Sequence, residues 1–312
     1  MSINNLTLAQ NMTAELDRAV CGKTVTGFFT DNNLRGKFVG AKTVLIPHVS
    51  VSGLGDYDRD TGFVRGSISV GSTPVVLSMD RGRSFQLDRE DNDETGIADL
   101  AGQIMGEFVR TQVVPEVDAY VLSKLAGYAV TKSQTITGTP ATDAYSMFMD
   151  AVAKAQNAVG YDEELVCFVD STMWKAIQQS DDLTRLIDVA QLTRGGIETE
   201  VKAINGIPVL PVPDSRMKSA YEFYDGIDHT GESGADETAG GFVPASTAKN
   251  VGLLLCPKRG ASLVKKTEQV RTFDPANNPN ADAWKFDYRL YYDVFVRDSL
   301  GGGIYAYTYE NA

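Results

Sequence analysis

Cysteine is scarce and carries no pattern. The 312-residue chain has three, Cys21, Cys167 and Cys256, far apart and in no CxxC spacing. An odd, scattered set excludes a disulfide framework and fits a reducing compartment. Histidine is scarcer still: His48 sits in a strand-like run and His229 in a loop, neither beside a serine or cysteine nucleophile. No GxSxG, HExxH or GxxxxGK[ST] occurs, which leaves serine hydrolase, zinc protease and phosphate-cradling chemistry without their local signatures. Positive charge is in deficit, with 29 Lys and Arg against 41 Asp and Glu and a formal net charge of −12. Such a field repels phosphate, and the short pairs Lys258-Arg259 and Lys265-Lys266 read as solvated strand ends, not as a nucleic-acid face. No apolar run approaches the ~18 residues of a membrane helix, and the N-terminus lacks the basic and apolar regions of a secretion signal.

What remains is the composition of a folded protein, 43% hydrophobic, 22% charged and 9% aromatic. The length suggests two domains or one elaborated domain. Residues 1–41 carry one short apolar stripe, Leu6, Ala9, Met12, Leu16 and Val20, followed by turn-rich sequence. That segment reads as an arm whose stripe docks elsewhere. From Ala41 to Asn92 short β-rich runs alternate with turn clusters and contain few large apolar residues, which predicts a hairpin projecting from the body.

At Asn92-Asp93 the period becomes helical. Either residue can cap, and Ile97, Leu100, Ala101, Ile104, Met105 and Phe108 form one stripe. Pro115 is tolerated in the first turn of a second helix bearing Val117, Tyr120, Val121 and Leu125, so a long kinked spine is expected. A TPATD cap, a helix over YSMFMDAVAKAQNAV, a strand at 165–170 and a short helix at 173–177 follow. Asn205-Gly206 predicts a type I′ hairpin turn between Val201–Ala203 and Ile207–Leu210. The Gly- and acid-rich segment 228–241 reads as a mobile loop. WKFDYRLYYDVFV then places Trp284, Phe286, Tyr288, Leu290, Tyr292, Val294 and Val296 on one face of a strand of unusual length, with Lys285, Asp287, Arg289 and Asp293 on the other. The spine helix is the natural cover for that sheet. The fold class is α+β.

The densest charge cluster is DRGRSFQLDREDNDET, residues 80–95, with six carboxylates and three arginines around Phe85 and Leu87. A calcium loop begun at Asp56, with Asp58 and Asp60, would need Gly at its sixth position and Glu at its twelfth; the chain has Thr61 and Ser67 there, and a loop begun at Asp88 has Asp93 and Asp99. Carboxylates among arginines at a helix start keep ordinary acidity. No metal, cofactor or catalytic residue is therefore expected, and a soluble hydrolase using Asp56, Asp58 or Asp88 is the remote alternative. Arg81, Arg83 and Arg89 instead suit charge-assisted contacts with an adjacent copy. With Asp56, Asp58 and Phe85 they form the set of expected inter-subunit residues.

The order of arm, ribbon, long helix, mixed α/β region and long strand resembles major capsid proteins of tailed double-stranded DNA phages, the Hong Kong 97-type fold. The phrases VSGLGDYDRDTGFVRG, MDRGRSFQLDREDNDET, FVRTQVVPEVDAY, NGIPVLPVPDSRM and NPNADAWKFDYRLYYDVFV look like stretches of coat proteins from siphophages of Gram-positive hosts. The resemblance implies an N-terminal arm (1–41), an extended loop (42–92) lying across a neighbouring subunit, a peripheral domain (93–138 and 263–300) and an axial domain (139–262 and 301–312). It implies a structural subunit, not an enzyme, that self-assembles as hexamers and pentamers into a virion shell in the host bacterial cytoplasm. That shell would enclose DNA without binding it specifically and involve a portal, no membrane and, in some cases, a decoration protein. A nanocompartment shell of the encapsulin type is the alternative within the same fold. No lysine lies between Lys42 and Lys124, so a loop-borne isopeptide cross-link is excluded. An arm of about forty residues leaves no room for a fused scaffolding region, so a separate scaffolding protein is expected.

Overall fold

The structure is a computed structural model. It describes residues 24–30, 38–39, 42–88, 100–180, 187–194, 197–232, 234–278 and 281–310. In chain order the strands and helices are β1 (Phe38–Val39), β2 (Thr43–Val51), β3 (Ile68–Val76), β4 (Met79–Asp88), α1 (Leu100–Phe108), α2 (Val114–Thr131), α3 (Pro140–Val159), β5 (Leu165–Val169), α4 (Ser171–Gln179), β6 (Ile187–Arg194), β7 (Ile197–Ile204), β8 (Ile207–Pro211), β9 (Tyr221–Phe223), β10 (Phe242–Pro244), β11 (Asn250–Pro257), β12 (Ala261–Phe273), β13 (Ala283–Val296) and β14 (Tyr305–Tyr309). The expected cap at Asn92 or Asp93, Ile97, Arg89 and the apolar stripe of the arm all lie outside the described residues.

The spine runs without a break from α1 through a π-helical segment, Val109–Val113, into α2. The π segment sits just before Pro115. Proline has no N–H to give the carbonyl four residues back, and its ring crowds that carbonyl, so widening the turn relieves the clash while the helix continues. Met105, Val109, Val117 and Leu122 of the spine share one apolar core with Phe286, Tyr288, Leu290 and Tyr292 of the long strand β13 and with Val166, Phe168, Leu210 and Cys256 of the second sheet.

That second sheet has six strands in the order β14-β11-β5-β8-β7-β6, with β5 and β8 parallel and the other pairs antiparallel. Its opposite face is covered by Phe148, Ala151 and Ala155 of α3 and by Met173 and Ile177 of α4. Strand β5, LVCFV, is therefore buried on both faces, which explains its unbroken apolar run. Thr139 stands at the N-cap of α3 with Pro140 in its first turn, although the Thr139 side chain makes no capping bond. The Asn205-Gly206 turn forms as expected: Ile204 faces Ile207, and both turn residues have positive φ, 52° and 76°.

Three features differ from the sequence reading. The projecting ribbon is β2–β3, residues 43–76, because β4 leaves it to pair with β13 over ten registered residues. The alternation Met79, Arg81, Phe85, Leu87 marks a strand with one buried face, which a free ribbon would not need. The long strand is not one-sided: Tyr291 and Phe295 also pack, against Val44, Leu77 and Val264 at the ribbon root. The segment 228–241 is folded back on itself, with Asp228 bridging Asp236 and Phe223 pairing with Phe242 at its base. Short Asp-to-backbone bonds at Asp228 and Asp236 supply the local order that lack of hydrophobic periodicity hid.

Two buried carboxylates tie the parts together. Asp118 on the spine accepts from the Val25 and Thr26 amides, at 3.1 Å each, from the Thr26 hydroxyl at 2.7 Å and from Arg216 at 3.2 Å. Val25 and Thr26 are thereby fixed on the spine of their own chain. Burial pushes the Asp118 carboxyl upward, against the lowering effect of those hydrogen bonds. Asp293 accepts from the Ser78 amide and hydroxyl at 3.0 and 2.9 Å, from Tyr120 at 2.8 Å and from Lys124. Ser78 lies between β3 and β4, so Asp293 fixes the angle at which the ribbon leaves the body.

Candidate inter-subunit surfaces

The ribbon is a two-stranded antiparallel hairpin of about 30 Å, with nine residues in each strand. Its register pairs Val49 with Val70 and Val51 with Ile68. Because side chains alternate, all four project from one face, and each is 66% to 75% exposed. His48, Ser50, Ser69 and Gly71 occupy the opposite face. An isolated two-stranded hairpin is marginal in water, and four β-branched side chains on one face normally rest against something. The sequence reading undercounted this surface, although the x-V-x-V and I-x-V alternation was legible.

At the tip, Leu54 is fully exposed and Tyr57 and Phe63 pair with ring centroids 4.8 Å apart. Asp58 closes the turn. Its amide and carbonyl exchange bonds with Gly62, and its carboxylate accepts from the Asp60 and Thr61 amides, which holds its carboxyl below the usual range. Asp56 is exposed beside it.

Arg81, Arg83 and Phe85 stand in another place. Their register partners on β13 are Leu290, Tyr288 and Phe286, so all three lie on the sheet face that meets the spine. Phe85 packs edge-on against Phe108 at 4.9 Å. Arg81 forks onto Glu116 of α2, Nε–Oε1 2.7 Å and Nη2–Oε2 3.2 Å, and donates to the carbonyls of Tyr224 and Gly241. Arg83 is more exposed and donates to the Thr238 carbonyl at 2.9 Å. Arg81, expected to face an adjacent copy, is placed within its own chain: β4 is an edge strand among the described residues, and the long side chain on its spine face reaches past the edge to bind the 224–241 loop. Phe85 is likewise directed inward. Between β4, the spine and that loop lies a cleft of about 290 Å³, floored by Phe85, Phe108, Tyr288 and Leu290 with Arg83 on its wall.

The same architecture occurs in solved phage structures. One from Mycobacterium phage Che8 aligns with a TM-score of 0.56 and 12% identity, covering 91% of this chain and 90% of the other. The asymmetric unit of the bacteriophage PhiM1 mature capsid aligns at 0.53 and 11%, covering 86% and 82%. The capsid of the cyanophage P-SCSP1u aligns at 0.52 and 12%, covering 88% and 86%. The chain has a phage-capsid fold. At these identities the likeness is one of fold. No sequence-family model and no curated relative matches the chain. Among the described residues no helix is long and apolar enough to cross a membrane.

Proposed function

We propose that the chain is a wall subunit of a phage-type capsid, a structural protein that assembles with copies of itself as hexamers and pentamers around packaged double-stranded DNA. The observation that carries this reading is the apolar face of the β2–β3 ribbon on a capsid fold. Among the described residues nothing covers Val49, Val51, Ile68 and Val70, each 66% to 75% exposed on one face of the ribbon. A second copy supplies the cover. Fully burying one such side chain is worth roughly 1.5–3 kcal/mol, and a closed shell repeats the contact at every subunit.

In this reading the acidic, aromatic tip, Asp56, Tyr57, Asp58 and Phe63, seats against the adjoining subunit, and Arg83 beside the aromatic cleft is the complementary cation. Arg89 belongs to the same expected set, outside the described residues. The net charge of −12 suits a container that DNA enters without adhering to its wall. A separate scaffolding protein and a portal complete the assembly.

The test is expression of the full chain, with electron microscopy and sedimentation velocity before and after Val51→Asp with Ile68→Asp. The native chain should form closed particles or capsomers. The double variant should keep its circular dichroism and melting temperature and remain a small soluble species. Native chain that stays monomeric at high concentration with every neighbouring assembly factor supplied would defeat the proposal.

A further inference from the structure

The folded-back loop places three metal-ligating side chains together. Asp225, His229 and Glu237 bring one carboxylate oxygen, one imidazole nitrogen and one carboxylate oxygen within 4.8 Å of one another, the single such group of His, Cys, Asp or Glu among the described residues. His229 Nε2 and Asp225 Oδ2 are 2.9 Å apart, close to the spacing of adjacent ligands around an ion with bonds of about 2.1 Å. We propose that Asp225, His229 and Glu237 bind a divalent cation of the Mn2+ or Zn2+ class.

The chemistry of the donors selects that class. Two carboxylates and one neutral imidazole are a borderline set: too nitrogen-rich to favour Ca2+ or Mg2+ and free of the thiolates that favour Cu(I). Three protein ligands on a half-exposed loop leave the remaining positions to water. The loop is presented to an ion ready-shaped. Asp225 Oδ1 accepts from the Ile227 amide and Glu237 Oε2 accepts from the Asp225 amide, which orients both carboxylates, while Asp225 Oδ2 is hydrogen-bonded to His229 Nε2 through a proton that a bound ion would displace. Arg81 and Arg83 clamp the loop to the sheet through the carbonyls of Tyr224, Gly241 and Thr238. Their positive charge opposes a cation, and the five acids of the segment 225–238, with no lysine or arginine among them, outweigh it. A bound ion would cross-link the two legs of the loop and stiffen the outer wall of the cleft. The proposal is independent of the capsid reading, since it concerns one chain.

The probe is Mn2+ titrated into the full chain and followed by loss of the free-ion paramagnetic resonance signal, with Zn2+ as competitor. One ion per chain should bind. His229→Ala and Glu237→Gln should each weaken it by about tenfold or more, while Asp56→Asn, an exposed acid at the ribbon tip, should leave it unchanged. A second readout needs no variant: bound Mn2+ should protect His229 from carbethoxylation while the exposed His48 stays reactive. Absence of binding, or His229→Ala binding as tightly as the native chain, or equal modification of both histidines with and without the ion, would overturn the proposal.

Discussion

Arg81 and Glu116 face each other across the gap between β4 and α2 as a two-pronged ion pair, with side-chain exposures of 24% and 13%. The same guanidinium holds both ends of the 224–241 loop. Arg81→Ala should therefore lower stability by about 2 kcal/mol, a buried-pair penalty reduced for partial exposure. Arg81→Lys should recover only part of this, because an ammonium cannot fork. Urea unfolding decides it, and a shift of the midpoint equivalent to less than 0.5 kcal/mol, about the scatter of surface substitutions, would contradict the geometry.

Asp293 is the joint of the ribbon. Removing its carboxylate in Asp293→Ala takes the shared acceptor from Lys124, Tyr120 and the Ser78 amide, at a cost of about 2–3 kcal/mol, a buried-pair penalty reduced because Lys124 is 40% exposed and keeps the Tyr120 hydroxyl. Hydrogen exchange should then show faster turnover at Thr43–Val51 and Ile68–Val76 than in β11 or β5. Uniform acceleration across all strands would mean that Asp293 is a general stability residue and not a hinge.

Charge exchange tests the tip contact. Arg83→Glu has one internal hydrogen bond to lose, so the variant should fold with a penalty of about 1 kcal/mol. If Arg83 meets the acidic tip of a second copy, Arg83→Glu should lower particle yield, and adding Asp56→Arg should restore it. Failure of the pair to recover yield, in a chain that still forms particles when native, removes Arg83 from the interface while leaving the ribbon face in place.

Asp80 and Arg289 make an exposed two-pronged pair, 2.6 and 2.9 Å. The Arg289 side chain holds the Asp80 carboxyl below its ordinary value of 3.8. A depressed folded value means the contribution is present above about pH 4 and lost as pH falls through it. Asp80→Asn should cost no more than about 1 kcal/mol at pH 7, because exposed pairs are weak, and the cost should shrink as the pH falls below about 4. A difference between native and variant that grows on acidification would reverse the sign.

The spine helix, the Asn205-Gly206 turn and the length of the strand through Trp284 and Val296 were legible because each rests on local grammar: a period, a turn residue or an unbroken alternation. The role of Arg81 was not. Its neighbours in sequence are Asp80 and Gly82, whereas its ligands, Glu116, Tyr224 and Gly241, lie 35 to 160 residues away. The Asp225–His229–Glu237 group was hidden for the same reason, since a twelve-residue separation becomes a contact only when the loop folds back.

The linear chain determined the spine helices, the long strand, the Asn205-Gly206 hairpin and that a ribbon leaves the body, since these depend on side-chain period and backbone preference alone. The tertiary structure decided where that ribbon ends. Pairing of β4 with β13 places Arg81 and Phe85 on a face that packs against the spine, whereas among the described residues nothing lies on Val49, Val51, Ile68 and Val70. A strand alternates its faces by itself, but which face is covered is settled by the element that comes to lie on it.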